Sequence, residues 1–336
     1  MTDSAVHIAL AANHRYSPGL KATVVSLLNA AGDPSRLRFH VFSDGLTEAD
    51  RNELAALARR FGSNGAFDFR TPDMADISAR FQAYYGTHTT FIRLYFPVLL
   101  PELDWVLWAD VDTLWFKDPA LLWAERDDAV SLVWVEDLPS TKRSVGRWHT
   151  RIDPDFARSP YGCAGVMLMN LRKLRETQFV ARGFALVERF GTPPFADQGV
   201  FNALCADDAK IVDATWNLLN PTTRIASGVV LHFNGLGKRF NDPAFAGWRP
   251  LYEIWFRYRA QVVEGRVAEE VCPVAKRFVF GALALLYPIA PLLCALPMRY
   301  WHRDNLRRTL FFAWLGRRRL WTNPKGGRET VPTVAR

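Results

Sequence analysis

Short apolar runs and amphipathic stretches alternate along residues 6–233, which predicts strands that alternate with helices. Runs rich in apolar residues predict strands at 6–12, 38–43, 105–109, 130–135, 166–169, 210–212 and 229–233, and residues 67–70 are a further strand candidate. Stretches with helical spacing predict two early helices, which start near Ser17 and Thr47, and later helices at 171–190 and 197–205. This order predicts a doubly wound α/β domain, in which ligands bind at the carboxyl ends of the strands.

Local signals predict where the two early helices begin. Ser17 followed by Pro18 is typical of an N-cap residue and a first helical residue. Thr47 with Asp50 three residues later has the spacing of a capping box. We therefore expect the first helix to follow Ser17 and the second to follow Thr47.

Asp110 and Asp112 come directly after the wholly apolar strand predicted at 105–109. Two carboxylates spaced by one residue at a strand end can hold a hard divalent cation, Mn²⁺ or Mg²⁺, through oxygen. A solvated turn that caps the segment 113–118 explains the same residues equally well. The triplet alone leaves both interpretations open.

A second polar group follows the apolar strand predicted at 229–233. His232 lies near the end of that strand, and a turn with Gly235, Gly237 and Lys238 follows it. Backbone N–H groups, an ammonium and an imidazole there could converge on phosphate and a metal. As a lone feature, a histidine at a strand end is more often a core or surface residue.

Asp197 and Gln198 form a polar pair at the start of the apolar helix predicted at 197–205. An N-cap role for Asp197 explains the pair without any ligand. That role is also compatible with a contact between Asp197 and a bound substrate.

Charge is distributed unevenly along the 336 residues. The chain has 42 Lys/Arg against 34 Asp/Glu, a net charge of +8. Residues 266–336 contain 13 Lys/Arg and four Asp/Glu, which leaves a net charge of −1 for residues 1–265. A balanced body argues against a nucleic-acid partner, and a basic tail indicates an anionic surface. We predict a catalytic domain at 1–265 and a membrane-associating tail at 266–336.

The tail combines an uncharged segment with a basic one. Residues 278–298 are long enough to cross a bilayer, but three prolines interrupt them, which favours shallow insertion. Residues 306–319 have the pattern of a basic amphipathic helix, which is typical of helices that lie on anionic lipid. We predict that residues 276–320 bind an anionic membrane surface; a helical cap packed on the body is the alternative.

Cysteine content and the first residues bear on location. The four cysteines are widely spaced without a CxxC pair, which indicates neither a zinc site nor a disulfide scaffold. The first 17 residues lack the basic start and apolar core of a signal peptide. We therefore expect a cytoplasmic protein that associates peripherally with the inner membrane.

Seven short motifs follow one another along the chain: AANHRY at 11–16, FHVFSD at 39–44, TTFIRL at 89–94, VLWADVD at 106–112, CAGVMLMN at 163–170, DQG at 197–199 and HFNGLGK at 232–238. In this order they resemble glycosyltransferase family 8, the retaining nucleotide-sugar enzymes that include glycogenin and bacterial lipopolysaccharide glucosyl- and galactosyltransferases. The resemblance covers residues 6 to about 260. It implies a Rossmann-like GT-A nucleotide-sugar-binding domain with a mostly parallel mixed sheet, plus a helical basic C-terminal region.

The resemblance also implies roles for individual residues. The metal ligands would be Asp110, Asp112 and His232. Gly235 and Lys238 would hold the diphosphate, and Arg93 would reach the nucleotide sugar. Asp197 would grip the hydroxyls of the donor sugar, and Gln198 would lie beneath the anomeric carbon. Other residues expected along the nucleotide sugar are Ala11, Asn13, Tyr16, Val111, Ala164 and Gly165.

Two positions depart from the pattern of the family. Asn13 stands where many members have aspartate; its amide can still pair with uracil, because it offers both a donor and an acceptor. Cys163 stands where many members have asparagine, and a thiol does not replace the hydrogen bonds of an amide. The resemblance therefore defines the donor sugar less well than it defines the other ligands.

The implied activity is that of a metal-dependent retaining hexosyltransferase. It would transfer glucose or galactose from UDP-glucose or UDP-galactose to a membrane glycolipid, such as a lipopolysaccharide core intermediate, or to an oligosaccharide acceptor. One alternative is a haloacid-dehalogenase-type phosphatase with Asp110 as the nucleophile, although that motif normally follows the first strand. Another is a non-catalytic membrane-associated sugar-binding protein, which would not need the three intact metal ligands.

Overall fold

The computed structural model describes residues 5–43, 45–84, 87–219 and 228–232. Gly235, Lys238 and the whole segment 266–336, with its predicted membrane-binding part at 276–320, lie outside the described residues. The domain boundary after residue 265 therefore stays a prediction. Within the described ranges, no helix has both the length and the apolar composition needed to cross a membrane.

The strands and helices alternate along the chain. The strands are β1 Val6–Ala11, β2 Leu37–Phe42, β3 Phe67–Arg70, β4 Trp105–Ala109, β5 Thr113–Trp115, β6 Leu132–Glu136, β7 Gly162–Asn170, β8 Ala209–Ile211 and β9 Val230–His232. The α-helices are α1 Ser17–Ala30, α2 Glu48–Arg60, α3 Ala75–Arg80, α4 Phe96–Leu99, α5 Pro119–Trp123, α6 Pro139–His149, α7 Leu171–Glu176, α8 Phe179–Phe190 and α9 Asp197–Cys205. A 3₁₀ helix, Thr89–Tyr95, precedes α4.

Seven strands form one mixed sheet in the order β3-β2-β1-β4-β7-β6-β8. Strands β3, β2, β1 and β4 run parallel, and β8 runs parallel to β6. Strand β7 is antiparallel to both of its neighbours, β4 and β6. Strands β5 and β9 form a separate antiparallel pair. The predicted mostly parallel mixed sheet of a GT-A fold is confirmed.

Both faces of the large sheet are covered, which explains why β4 is apolar at every position. Leu107 belongs to a core cluster with Val24 of α1 and Leu54 of α2. Trp108, the next residue along β4, belongs to the opposite cluster, which includes Phe201 of α9. Successive side chains of a strand point to opposite faces, so burial on both faces requires an unbroken apolar run.

Two local expectations about helix starts have different outcomes. Thr47 and Asp50 form the predicted capping box at the start of α2. The N-cap prediction for Ser17 is wrong, because Ser17 is already the first residue of α1. Its hydroxyl donates instead to Asp50 Oδ1 at 2.5 Å and so joins the starts of α1 and α2.

The single helix predicted at 171–190 is also wrong, because this stretch forms two helices, α7 and α8. Gln178 lies between them with a φ of 52°, a left-handed conformation that a continuous α-helix does not contain. A non-glycine residue in this region is uncommon, so composition gave no sign of the break.

The antiparallel direction of β7 determines what lies at the carboxyl end of β4. Because β7 runs opposite to β4, its first residues lie beside the last residues of β4, and the N–H of Asp110 donates to the carbonyl of Gly165 at 2.8 Å. The end of β6 reaches the same edge, since Glu136 pairs with Gly162. Strand β9 places His232 opposite Thr113 of β5. Four separate parts of the chain thus meet at one edge of the sheet.

Candidate active site

Two carboxylates and an imidazole form a compact cluster at this edge. His232 Nε2 lies 3.3 Å from Asp112 Oδ1 and 3.6 Å from Asp110 Oδ2. One ligand atom from each of the three residues falls within 4.8 Å of the others. The register of β5 and β9 creates this arrangement, because it places His232 beside the residue that follows Asp112. The three side chains of the predicted metal site are therefore brought together.

The imidazole of His232 is oriented by Asn217. Nδ1 lies 2.9 Å from the side-chain oxygen of Asn217, which accepts only when Nδ1 carries the proton. Nε2 then faces the carboxylates, and it is buried with no hydrogen-bond partner among the described residues. A histidine held in this way by its other nitrogen is the usual arrangement of a metal ligand. The cluster therefore fits a divalent cation.

Electrostatics at the cluster favour a positive charge. Burial works against a charged imidazole, but the carboxylate of Asp112 outweighs burial and raises the pKa of His232 to about 10. Asp112 is 4% exposed, and the side chain of Asp110 is 15% exposed. Arg93 pairs with Asp110 but is shared with Asp197, so these buried carboxylates still require a further cation, which a proton on His232 or a metal ion can supply.

Arg93 connects the metal carboxylates to the rest of the site. Its five N–H groups all donate to protein groups: to both oxygens of Asp197, to Asp110 Oδ1, to the carbonyl of Ala164 and to the hydroxyl of Thr90. Burial disfavours its charge, but Asp110 and Asp197 outweigh this effect and raise the pKa of Arg93. Arg93 is therefore a permanent cation between two carboxylates, with its donors used within the protein.

Asp197 is enclosed by the groups that donate to it. Oδ1 accepts from Thr90 Oγ1 at 3.0 Å as well as from Arg93, and the residue is 1% exposed. Asp197 is the first residue of α9, and the N-cap is Ala196, so the N-cap reading of Asp197 is wrong. Asp197 therefore lies beside the metal cluster, where its closest partner is Arg93.

Gln198 lies on the same turn and points to the start of β7. Its Oε1 accepts from the backbone N–H of Ala164 at 3.1 Å, and its Nε2 donates to Asp137 Oδ2 at 2.9 Å. Asp137 follows the last residue of β6. Gln198 and Ala164, both predicted site residues, are therefore in direct contact.

The residues predicted to bind the base lie at the end of β1, which runs parallel to β4. Ala11 is the last residue of β1 and is buried. Asn13 and Tyr16 are half-buried in the turn before α1, where Asn13 Oδ1 accepts from the backbone N–H of Tyr16 at 3.3 Å. Val111 is half-buried in the turn between β4 and β5.

Three site residues escaped sequence reasoning. Asn217 gave no sign of its role, because it precedes His232 by 15 positions and its function depends on the fold. Thr90 belongs to the motif TTFIRL at 89–94, but the motif did not indicate a role for it. Asp137 gave a usable signal, since it is a carboxylate directly after a strand, as Asp110 is.

A second group of possible metal ligands has a different explanation. His40, Asp68 and Glu102 offer ligand atoms within 4.8 Å of one another. Arg70 already donates to Asp68 at 2.7 Å and to Glu102 at 2.5 Å. Because a guanidinium supplies the positive charge there, these residues form an ion-pair network.

Parts of this chain are similar in sequence to known glycosyltransferases. Mouse "Glucoside xylosyltransferase 2" is 35% identical over 92 residues, which are 26% of this chain and 20% of that protein. "Glucoside xylosyltransferase 1" of Danio rerio is 33% identical over 89 residues, 26% of this chain and 22% of that protein. The chain thus spans about a fifth of the length of these curated relatives.

Solved structures match over much more of the chain. The galactosyltransferase LgtC in complex with donor and acceptor sugar analogues has a TM-score of 0.63 and 24% identity, over 79% of this chain and 98% of that chain. A glutamine-to-glutamate active-site mutant of LgtC has a TM-score of 0.59 and 25% identity, over 68% of this chain and 88% of that chain. The model of the family described as "Glycosyl transferase family 8" matches residues 7–242. With most of its length inside that match, and with the fold in agreement, this chain belongs to glycosyl transferase family 8.

Proposed function

We propose that this glycosyltransferase is a metal-dependent retaining hexosyltransferase, which transfers glucose or galactose from UDP-glucose or UDP-galactose to a membrane glycolipid. The observation that carries the proposal is the cluster of Asp110, Asp112 and His232, in which a buried Nε2, with no hydrogen-bond partner in the described part of the chain, faces two carboxylates. The family membership does not support the phosphatase alternative. An intact cluster of this kind likewise does not favour a non-catalytic sugar-binding protein.

Asp110, Asp112 and His232 would hold the cation. Two carboxylates and one imidazole suit Mn²⁺, and Mg²⁺ is the second choice because it accepts nitrogen less readily. A cation at this position would supply positive charge to the diphosphate that leaves when the sugar–phosphate bond breaks. Lys238 and Gly235, which lie outside the described residues, are proposed to contact the same diphosphate.

We assign the nucleoside to the end of β1 and the sugar to the start of β7. Ala11, Asn13 and Tyr16 would contact the base and ribose. Ala164 and Gly165 would line the sugar, because their backbone lies next to Asp110. The galactosyltransferase LgtC was solved with donor and acceptor sugar analogues, and its similarity to this chain supports a nucleotide-sugar site at this edge.

Retention is proposed to follow the front-face route. Asp197 is a poor candidate for a covalent nucleophile, because its two oxygens accept hydrogen bonds from Arg93 and Thr90 and it is 1% exposed. Gln198 would face the anomeric carbon, where its amide oxygen can stabilise developing positive charge. The active-site glutamine of LgtC, known from its glutamine-to-glutamate mutant, supports this assignment.

The acceptor and the location are proposed from the sequence pattern. A lipopolysaccharide core intermediate at the cytoplasmic face of the inner membrane would fit a tail that combines an uncharged segment with basic residues at 276–320. The body would then bind the nucleotide sugar from solution, while the tail keeps it at the surface where the lipid-linked acceptor is found.

The test is release of the nucleoside diphosphate, UDP or GDP, from a set of nucleotide sugars by the full chain. We expect turnover of UDP-galactose or UDP-glucose with Mn²⁺, loss of turnover in EDTA and recovery on adding Mn²⁺. UDP-xylose belongs in the set, because the curated relatives are xylosyltransferases. GDP-mannose is the control, and preferential turnover of UDP-xylose or GDP-mannose would contradict the proposed donor. Turnover that EDTA leaves unchanged would contradict the metal.

Gly165→Ala is expected to weaken Mn²⁺ binding about 10- to 100-fold, as loss of an orienting contact to a metal ligand typically does. A Cβ at position 165 would lie 2.2 Å from His232 Cε1, so the imidazole would have to move. The measurement is the rise in melting temperature that Mn²⁺ causes. The control is Gly146→Ala in α6, where an added Cβ meets no atom within 4 Å. Wild-type affinity in Gly165→Ala would show that His232 does not bind the metal.

A further inference from the structure

The amide of Gln198 is held at both ends, and its partners determine its orientation. The backbone N–H of Ala164 can only donate, so it must face the carbonyl oxygen of Gln198, and their distance is 3.1 Å. The NH₂ group then faces Asp137 Oδ2 at 2.9 Å. A rotation of the amide by 180° would break both hydrogen bonds.

Asp137 is itself rigidly placed. Its backbone N–H donates to the carbonyl of Tyr161 at 2.7 Å, and its Oδ1 accepts from the N–H of Leu138 at 2.6 Å. The residue is 6% exposed. Burial raises the pKa of Asp137 above its ordinary value, although the hydrogen bonds from Leu138, Gln198 and Thr141 oppose this shift. Both oxygens of the carboxylate are therefore committed as acceptors.

A continuous set of hydrogen bonds runs from Asp137 to the metal cluster. The backbone of Ala164 connects the two halves of this set. The N–H of Ala164 donates to Gln198, and the carbonyl of Ala164 accepts from Arg93 Nη1 at 2.6 Å. The same nitrogen of Arg93 donates to Asp110 Oδ1 at 2.9 Å. Asp137 is thus joined to the proposed catalytic groups through Gln198, without touching the metal ligands.

We infer that Asp137 is a positioning residue, and this inference rests on the proposed function. Asp137 holds the Gln198 amide so that its carbonyl oxygen lies at the start of β7 and its NH₂ group faces Asp137. The orientation matters because positive charge develops on the anomeric carbon. A carbonyl oxygen stabilises that charge, whereas an NH₂ group in its place opposes it.

The first test is Asp137→Asn, which keeps size and removes one acceptor. Asparagine has one oxygen for two donors, so the N–H of Leu138 or the NH₂ of Gln198 must face another NH₂ group. We expect kcat for the best nucleotide sugar to fall about 10- to 100-fold while the dissociation constant for UDP stays unchanged. Asp155→Asn, an exposed aspartate in the same β6–β7 connection, is the matched control. Equal kcat in Asp137→Asn and wild type would overturn the inference.

The second test exchanges the amide and the carboxylate between Gln198 and Asp137. It measures stability, so it does not require an active enzyme. Gln198→Glu alone sets two carboxylates against each other, and Asp137→Asn alone leaves two donors facing each other. The double variant restores the three hydrogen bonds described above: the asparagine donates to the glutamate and accepts from Leu138, and the glutamate accepts from Ala164.

We expect each single variant to lower the melting temperature by about 2 to 6 °C and the double variant to recover most of that loss. Additive losses in the double variant would overturn the inference. A wild-type protein that turns over no nucleotide sugar would instead contradict the proposed function. The melting temperatures of the single and double variants would then still decide whether Asp137 holds Gln198.

Discussion

Asp112→Asn is expected to lower sugar transfer by about 100- to 1000-fold, the largest effect on activity that we predict for a single substitution. Asp112 is 4% exposed and faces His232 Nε2 at 3.3 Å. Asparagine keeps the size of the side chain but removes the charge that a cation needs. The site would then keep one carboxylate, one imidazole and a neutral amide oxygen, and with one negative charge fewer it would hold Mn²⁺ much more weakly.

A binding measurement separates this loss from unfolding. Mn²⁺ at about 100 times its dissociation constant should stabilise the wild-type protein by about 2.7 kcal/mol, and Asp112→Asn should lose most of that gain. Asp104→Asn is the matched control, because Asp104 lies just before β4, at the opposite end of the strand, with a side chain that is 64% exposed. Undiminished transfer by Asp112→Asn would remove this carboxylate from the mechanism.

Arg93→Met is expected to lower the free energy of unfolding by about 3 to 5 kcal/mol, the largest effect on stability that we predict. Arg93 is 5% exposed and makes five hydrogen bonds, three of them to the carboxylates of Asp110 and Asp197. Without the guanidinium, Asp197 stays buried with Thr90 as its remaining partner. A folded domain has about 5 to 15 kcal/mol in total, so a loss of this size is a large fraction of its stability.

Unfolding in urea measures this effect. Arg172→Met is the control: Arg172 pairs with Asp128 at 3.2 Å, but the two side chains are 45% and 71% exposed. An exposed pair of this kind contributes at most about 1 kcal/mol. If Arg93→Met cost no more than Arg172→Met, the buried network would not be the stabilising element described above.

Most of the fold could be predicted because its signals are local. The strand signals of β1, β2 and β4 lie in short runs rich in apolar residues, and the capping box of α2 lies within four residues. Each of these features depends on neighbours along the chain. The break between α7 and α8 does not, since Gln178 adopts its left-handed conformation without any marker such as glycine.

Short elements with distant partners were the ones missed. Strand β5 has three residues and was not predicted; it forms because β9 pairs with it more than 110 residues later. Helix α6 was not predicted, because it has no apolar repeat long enough to be recognised. Such elements take their conformation from the surfaces against which they pack.

At the site, residue types in ordered motifs identified the carboxylates, the histidine and the glutamine, because these groups are attached to predictable strand and helix ends. Which atoms meet was decided by pairing across the chain. The antiparallel β7 places Ala164 beside Asp110, and β9 places His232 beside Asp112. Asn217, Thr90 and Asp137 acquire their partners only through these contacts. Local sequence determined the chemistry available at each position, whereas long-range strand pairing determined which groups share a buried space, because hydrogen-bond and ion-pair partners are set by distances in the folded chain.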